Sequence, residues 1–209
     1  MLAGTSGWSY PTWRPGFYPA GLDPAEFLAF YAGRFPTVEL NTTGYRLPAE
    51  EQFERWAALA PDGFEFAPKL PGNRLRSLDV FESRVRALGD RLGPVRVSLQ
   101  SARDDGVIEL LLGSLDPSLR LAFDLEHPSW NGVEERLAAA GAVRVNDLDT
   151  PAPFRYVRLR EPPYDDVALR ELAERVRGVA EPTYVYFRHE DEPTAPAYAQ
   201  RLVDLLTAS

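Results

Sequence analysis

In one extended stretch after another, this chain sets polar side chains at one parity and apolar side chains at the other. Thr37-Val38-Glu39-Leu40-Asn41, Phe64-Glu65-Phe66-Ala67-Pro68-Lys69 and Phe123-Asp124-Leu125-Glu126-His127 follow the pattern. Tyr156-Val157-Arg158-Leu159-Arg160 and Tyr184-Val185-Tyr186-Phe187-Arg188 repeat it. Successive residues of a strand point to opposite faces, so a period of two marks a strand with two unlike faces. Helical stretches fall between most of these segments, which predicts a parallel sheet covered by helices. Strands buried on both faces of such a sheet usually read as continuous apolar runs. Here one face is charged. It must line a chamber that holds water or a ligand, because unpaired buried charge is too costly to keep otherwise.

The strands expected from this pattern cover residues 3–8, 37–41, 64–69, 95–100, 119–124 (or to 126), 142–146, 154–160 and 183–188. Helices are expected over 48–60, 78–92, 104–115, 132–140, 165–179 and 195–206. An earlier helix begins at Asp23 as N-cap, with Pro24 in its first position and Glu26 completing a capping box. Only residues 147–153 separate strands six and seven, too few for a crossover helix. Eight βα units predict a single α/β domain over 1–209, a compact TIM-like (β/α)8 barrel near the lower size limit of roughly 200 residues. An open doubly wound sheet is the alternative. The shared inward polar parity favours closure.

Composition narrows the function classes. With 44% hydrophobic residues in 209, the chain can bury one sizeable core. There is no run of apolar residues long enough for a bilayer and no signal-like segment at Met1-Leu2-Ala3-Gly4, so no membrane partner is expected. The absence of cysteine removes disulfide partners, thiolate nucleophiles and thiolate metal sites, and a reducing cytoplasm is the expected compartment. A net charge of -8 argues against nucleic acid as a partner, while leaving room for a local basic patch. No P-loop, G-x-G-x-x-G or G-x-S-x-G occurs, which disfavours P-loop nucleotide hydrolysis and serine-hydrolase chemistry.

Several motifs resemble the DUF72 (YecE-like) family. They are Gly4-Thr5-Ser6-Gly7-Trp8-Ser9-Tyr10 with Phe17-Tyr18-Pro19, Thr37-Val38-Glu39-Leu40-Asn41 with Tyr45-Arg46-Leu47-Pro48, and Phe64-Glu65-Phe66-Ala67-Pro68-Lys69. His127-Pro128-Ser129-Trp130, Tyr156-Val157-Arg158-Leu159 and Tyr184-Val185-Tyr186-Phe187 continue the series in order along nearly the whole chain. The resemblance implies a TIM-barrel-like fold and little about chemistry. The chain departs from the family pattern at Gly44, where an aromatic residue is usual, at Asp124 for a glutamate, at Glu126 for an arginine and at Arg160 for a histidine. Leu99-Gln100-Ser101-Ala102 replaces a Gln-Leu-Pro-Pro stretch, Arg188-His189-Glu190-Asp191 replaces an Asn-rich strand end, and the segment after Lys69 is short and lacks a Thr-His pair. These features mark a divergent, shortened member.

In a closed barrel the polar parity directs Glu39, Asn41, Lys69, Gln100, Asp124, Glu126, Asn146, Arg158, Arg160 and Arg188 toward the axis. Those near the carboxyl ends of the strands reach the mouth, where active sites of this fold lie. Glu39 and Asp124, from strands two and five, are the candidate acid/base pair, and Lys69 the candidate Schiff-base or anion-holding amine. Among carboxylates the lysine keeps its proton, which favours anion binding. Arg158, Arg160 and Arg188 are expected to form a positive pocket for phosphate or carboxylate. Taken singly, each of these residues reads better as an interior ion-pair partner, with Glu39, Asp124 and Glu126 neutralising Lys69, Arg158 and Arg160, and Lys69 fits either role; it is the set together that points to a site.

Asn41 and Tyr45 are expected to orient the ligand, with Tyr186, Gln100, Glu126 and Asn146 completing its surroundings. Trp8, Tyr10, Trp13, Tyr45 and Trp130 fall in loops after strands. Trp8 and Tyr10 are candidates for stacking on a sugar or base face, whereas Trp13 and Trp130 read as plugs of a small cap core. His127 with Glu39, Asp124 and Asp147 is a candidate oxygen-rich divalent-metal site, though the chain lacks paired-histidine spacing and His127 reads better as a loop hydrogen-bonder. His189 reads as solvent-exposed.

The function expected from this set is binding or turnover of a small anionic ligand, phosphorylated or sugar-like, at the carboxyl mouth of the barrel. A non-catalytic binding or regulatory barrel, and a divalent-metal hydrolase or phosphodiesterase, are the alternatives. The sequence names no cofactor.

Overall fold

All eight strands run parallel, in the order β6-β5-β4-β3-β2-β1-β8-β7. They are β1 (Leu2–Ser6), β2 (Thr37–Leu40), β3 (Glu65–Pro71), β4 (Val95–Leu99), β5 (Leu121–Leu125), β6 (Val143–Arg144), β7 (Arg155–Leu159) and β8 (Thr183–Phe187). The structure, a computed structural model, describes residues 1–208, and for residues 72–74 the backbone alone. Seven helices follow the strands: α1 (Phe27–Ala32), α2 (Glu50–Leu59), α3 (Leu78–Arg86), α4 (Asp105–Ser114), α5 (Glu134–Ala139), α6 (Asp166–Arg177) and α7 (Thr194–Thr207). The TIM-like barrel expected from the alternation is present, and no helix joins β6 to β7.

The seam between β6 and β7 is closed by one residue rather than by a ladder. Asn146 N–H donates to Tyr156 O at 2.9 Å, its Oδ1 accepts from Arg158 N–H at 2.6 Å, and its Nδ2 donates to Arg158 O at 3.1 Å. Its φ of 69° is in the left-handed region, which asparagine tolerates better than most residues. The side-chain amide thereby stands in for a strand residue.

Apolar residues occupy two layers. Val38, Phe66, Val97, Phe123, Val157 and Val185 point outward under the helices. Each such side chain, fully buried, contributes about 1.5–3 kcal/mol relative to exposure. Inside the barrel, Ala67, Ala122, Val143, Phe154, Tyr156 and Tyr186 fill the middle. Thr37 Oγ1 meets the Tyr186 hydroxyl at 2.7 Å and donates to Glu65 O at 2.8 Å, so the interior tyrosine is not left unsatisfied.

Element ends differ from the sequence expectation in ways that matter for the site. Strands β4, β5 and β8 stop at Leu99, Leu125 and Phe187, one residue before Gln100, Glu126 and Arg188. β2 stops at Leu40, and Asn41–Gly44 forms a 3-10 turn. Thr43 Oγ1 fixes that turn by donating to Leu40 O at 2.7 Å and accepting from Lys69 N–H at 2.8 Å. The helix expected from Asp23 opens instead as a 3-10 turn, Pro24–Glu26, with Asp23 Oδ1 accepting from Ala25 N–H at 2.8 Å before α1 begins. The expected long helix over 78–92 ends at Arg86, with a separate turn at Gly89–Arg91.

Candidate functional site

At the carboxyl end of the barrel, inward residues of β2, β4, β5 and β7, with Arg160 just past β7, form one ionic chain. Glu39, fully buried on β2, accepts from Ser6 Oγ at 2.6 Å, from the Tyr156 hydroxyl at 2.8 Å and from Arg158 Nε at 3.0 Å on both oxygens. Arg96 Nε lies 2.8 Å from Glu39 Oε2, an ion-pair contact whose N–H direction misses the oxygen. Arg96 Nη1 donates to Asp124 Oδ2 at 2.6 Å, and Arg160 Nη2 donates to Asp124 Oδ1. The order is therefore Arg158, Glu39, Arg96, Asp124, Arg160. Asn41 Oδ1 accepts from Arg96 Nη2 at 3.3 Å.

Burial pushes the Glu39 carboxyl up, but Arg96, Arg158 and the two hydroxyl donors outweigh it and hold the group at about 2. Such a carboxylate is a fixed negative charge at neutral pH and a poor proton carrier. Burial likewise keeps the Tyr156 hydroxyl protonated, reinforced by the charge of Glu39, so it remains a donor.

Lys69 closes the ring from β3 without joining the chain: among the described residues it makes no ion pair within 4.0 Å. Its register partner is Arg96 on β4. The pKa of Lys69 is lowered, first by burial and then by the Arg96 charge, with Glu39 and Asp124 pulling the other way. Its ammonium lies 5.4 Å from the Tyr45 ring centre, and Tyr45 is 71% exposed. A Cβ at Gly44 would sit 2.6 Å from Lys69 Cδ, so the glycine that departs from the family pattern makes room for this lysine's stem.

The remaining candidates are placed as follows. Gln100, Glu126 and Arg188 keep the inward parity but, lying just past their strands, are exposed. Arg188 borders a hollow of about 540 Å³ with Glu190, Asp191 and Glu192, so the expected three-arginine pocket does not assemble: Arg158 and Arg160 face the buried carboxylates. Asn146 serves the β6–β7 seam, and Tyr186 lies below the ionic chain on Thr37. Tyr10 donates to Ser6 O at 2.9 Å and stacks on His189 at 4.6 Å, which leaves His189 half-buried rather than solvent-exposed. Trp13 and Trp130 are fully buried, their indole N–H groups bonded to Glu190 O and Ser101 O. Trp8 packs edge-on against Trp56 at 5.2 Å and borders an open cleft.

The metal grouping does not form. Exposed His127 caps the turn Pro128–Trp130 through Nδ1, and Asp147 Oδ1 accepts from Asp149 and Thr150 N–H groups in its own loop. Among the described residues no three His, Asp or Glu side chains converge.

Three residues of the site went unnoticed in the sequence: Arg96, Ser6 and Tyr156. The signal was present for two of them. Val95-Arg96-Val97-Ser98-Leu99 alternates like the other strands, and Tyr156 shares the parity of Arg158. Ser6 gave none, since its run of small residues has no apolar partner parity.

The sequence model of a family described as "Protein of unknown function DUF72" matches residues 2–209. The UPF0759 protein YecE of Escherichia coli K12 is 30% identical over 155 residues, covering 68% of this chain. That match takes in 54% of YecE, so the chain spans about half the length of the curated relative. Among solved structures, a DUF72 family protein from Thermotoga maritima has a TM-score of 0.84 at 25% identity, covering 98% of each chain. A DUF72 family protein from Enterococcus faecalis has a TM-score of 0.78 at 17% identity, covering 88% of this chain and 95% of its own. Among the described residues no helix is long and apolar enough to cross a membrane.

Proposed function

The chain belongs to the DUF72 family, and from that premise we propose that the mouth of its barrel binds a small anionic molecule, with Lys69 as the direct contact and Arg160, just past β7, as the second cation. The observation that carries this is an imbalance of charge. The three arginines of the ionic chain meet only Glu39 and Asp124, and Lys69 stands by them as a fourth cation with no ion pair among the described residues, in a protein whose net charge is -8. Arg96 and Arg158 are held between carboxylates, whereas Arg160 is partly exposed and Lys69 is unpaired among the described residues. Placing two surplus cations in a half-buried mouth is unfavourable until an anion arrives. A phosphate or carboxylate matches both the charge and the donors.

Glu39 is a fixed charge, and both Asp124 oxygens are engaged by Arg96 and Arg160, which favours binding over the acid/base scheme. If the bound molecule is also turned over, the groups left for chemistry are Lys69 and Tyr45. Isothermal titration with inorganic phosphate, and with acetate for the carboxylate class, tests the reading. Lys69→Met is expected to weaken binding roughly tenfold or more. Equal affinity in the wild type and this variant, or no binding of either anion, overturns it.

A further inference from the structure

The mouth has a second compartment of opposite character. Between the ends of β1 and β2 and the helices α1 and α2 lies a cleft of about 510 Å³. Its walls are Trp8, Leu28, Leu40, Trp56 and Leu59, with Ala25 at its exposed lip. Gln52, Trp56 and Leu59 share one face of α2 through i, i+4 and i+7 spacing, so a whole helix face is turned to this space. The volume is within the range of small-ligand sites, which are mostly apolar with a few polar groups at one side.

The cleft meets the ionic chain at Asn41, while Lys69 lines a neighbouring hollow of about 460 Å³ with Gly44, Tyr45, Ser98 and Gln100. Leu40 is paired in register with Pro68, the turn Asn41–Gly44 that follows is bonded to Lys69 N–H through Thr43 Oγ1 at 2.8 Å, and Lys69 pairs in register with Arg96. Asn41 lines the cleft and also accepts from Arg96 Nη2 at 3.3 Å. On the other side, Trp8 follows β1 and lines the same cleft as Asn41. Asn41 thus lies between the two compartments, with the Trp8 indole in the cleft and the Lys69 ammonium in the hollow next to it. Part of the polar lining is already engaged: the Tyr10 hydroxyl donates to Ser6 O, Asn41 Oδ1 accepts from Arg96, and Arg55 Nη2 donates to Gln52 Oε1 at 2.9 Å, while exposed Ser9 and Thr42 also line the cleft beside its apolar walls.

We infer that the ligand is amphipathic: an anion held at Lys69, joined to an aromatic or compact apolar body that lies in the cleft against Trp8 and Trp56. This rests on the anion-binding reading of the same mouth and narrows it, since it replaces a sugar-like body with an apolar one. Recognition then divides between charge at β3 and burial of apolar area at β1 and β2.

The test compares three probes by isothermal titration: inorganic phosphate, glycerol phosphate and phenyl phosphate. Phenyl phosphate is expected to bind roughly tenfold or more tighter than glycerol phosphate in the wild type. Ala25→Trp, which fills the exposed lip without touching the core, is expected to bring that ratio close to one. Leu59→Glu, at a 53% exposed position, gives the same outcome by putting like charge in the cleft and guards against an indole that merely repacks. A ratio near one in the wild type, or a ratio that survives both variants, overturns the inference while leaving phosphate binding intact. If phosphate itself fails to bind in a Lys69-dependent way, the anion reading fails first and takes this one with it.

Discussion

The two ends of the barrel interior each carry buried ions, and they are built differently. At the amino end, Glu65 meets Arg120 Nη2 at 2.6 Å and accepts from the Tyr184 hydroxyl at 3.0 Å, while Arg120 also donates to Leu92 O at 3.0 Å. One acid faces one base, and every partner is accounted for. At the carboxyl end, Glu39 and Asp124 face four cations. A balanced, part-exposed pair is what a floor needs. An unbalanced, deeper array is difficult to justify by stability alone, because desolvating each further ion costs several kcal/mol. The contrast separates a plug from a site.

The largest expected effect breaks the contrast at its centre. Glu39→Ala leaves Arg96 and Arg158 buried without their carboxylate and is expected to cost about 3–5 kcal/mol in denaturant unfolding. Glu65→Ala is expected to cost about 1 kcal/mol, because Arg120 keeps 38% side-chain exposure and can reach water. Equal losses would erase the distinction. Next in size is the ligand response: Lys69→Met lowers anion affinity roughly tenfold, and Arg120→Met at the opposite end leaves it unchanged in the same titration.

A third expectation concerns pH. The Glu39 carboxyl is held at about 2 against an ordinary 4.5. Its contribution to stability is therefore complete above about 4.5 and is lost as pH falls toward 2. Melting curves across that window should show the loss in the wild type, and Glu39→Gln should flatten it. The Lys69 ammonium is shifted down as well, by burial and the Arg96 charge. Its pKa lies below the usual 10.5, so anion affinity should decline on the alkaline side before an ordinary lysine would deprotonate. The smallest effect is expected from Gly44→Ala, whose methyl group displaces the Lys69 stem. A few-fold loss of anion affinity, with the melting temperature unchanged within a few degrees, would sharpen the assignment of Lys69.

Much of this was legible in the chain, for a specific reason. Glu39, Lys69, Asp124, Arg158 and Arg160 alternate with apolar neighbours, and strand geometry turns that alternation into a shared inward direction. What parity cannot convey is where a strand stops. Gln100, Glu126 and Arg188 have the right phase but stand at the open rim just past the last ladder residue, where their side chains are exposed. Partner choice was equally hidden. Arg96 sits in a strand of valines and leucines, and only closure across β2 and β5 shows that it joins Glu39 to Asp124. The metal grouping failed for the same kind of reason, since His127 and Asp147 satisfy their own loops.

The Asn146 seam has a bearing on how the barrel breathes. Elsewhere two strands must unzip several amides together to part, but here a single rotamer change releases the Arg158 amide from its latch. Deuterium should therefore enter at Arg158 sooner than at Val157 or Val185 on the neighbouring ladder. Because the same residue carries the guanidinium that clasps Glu39, the loosest join in the wall lies directly behind the most tightly clamped charge.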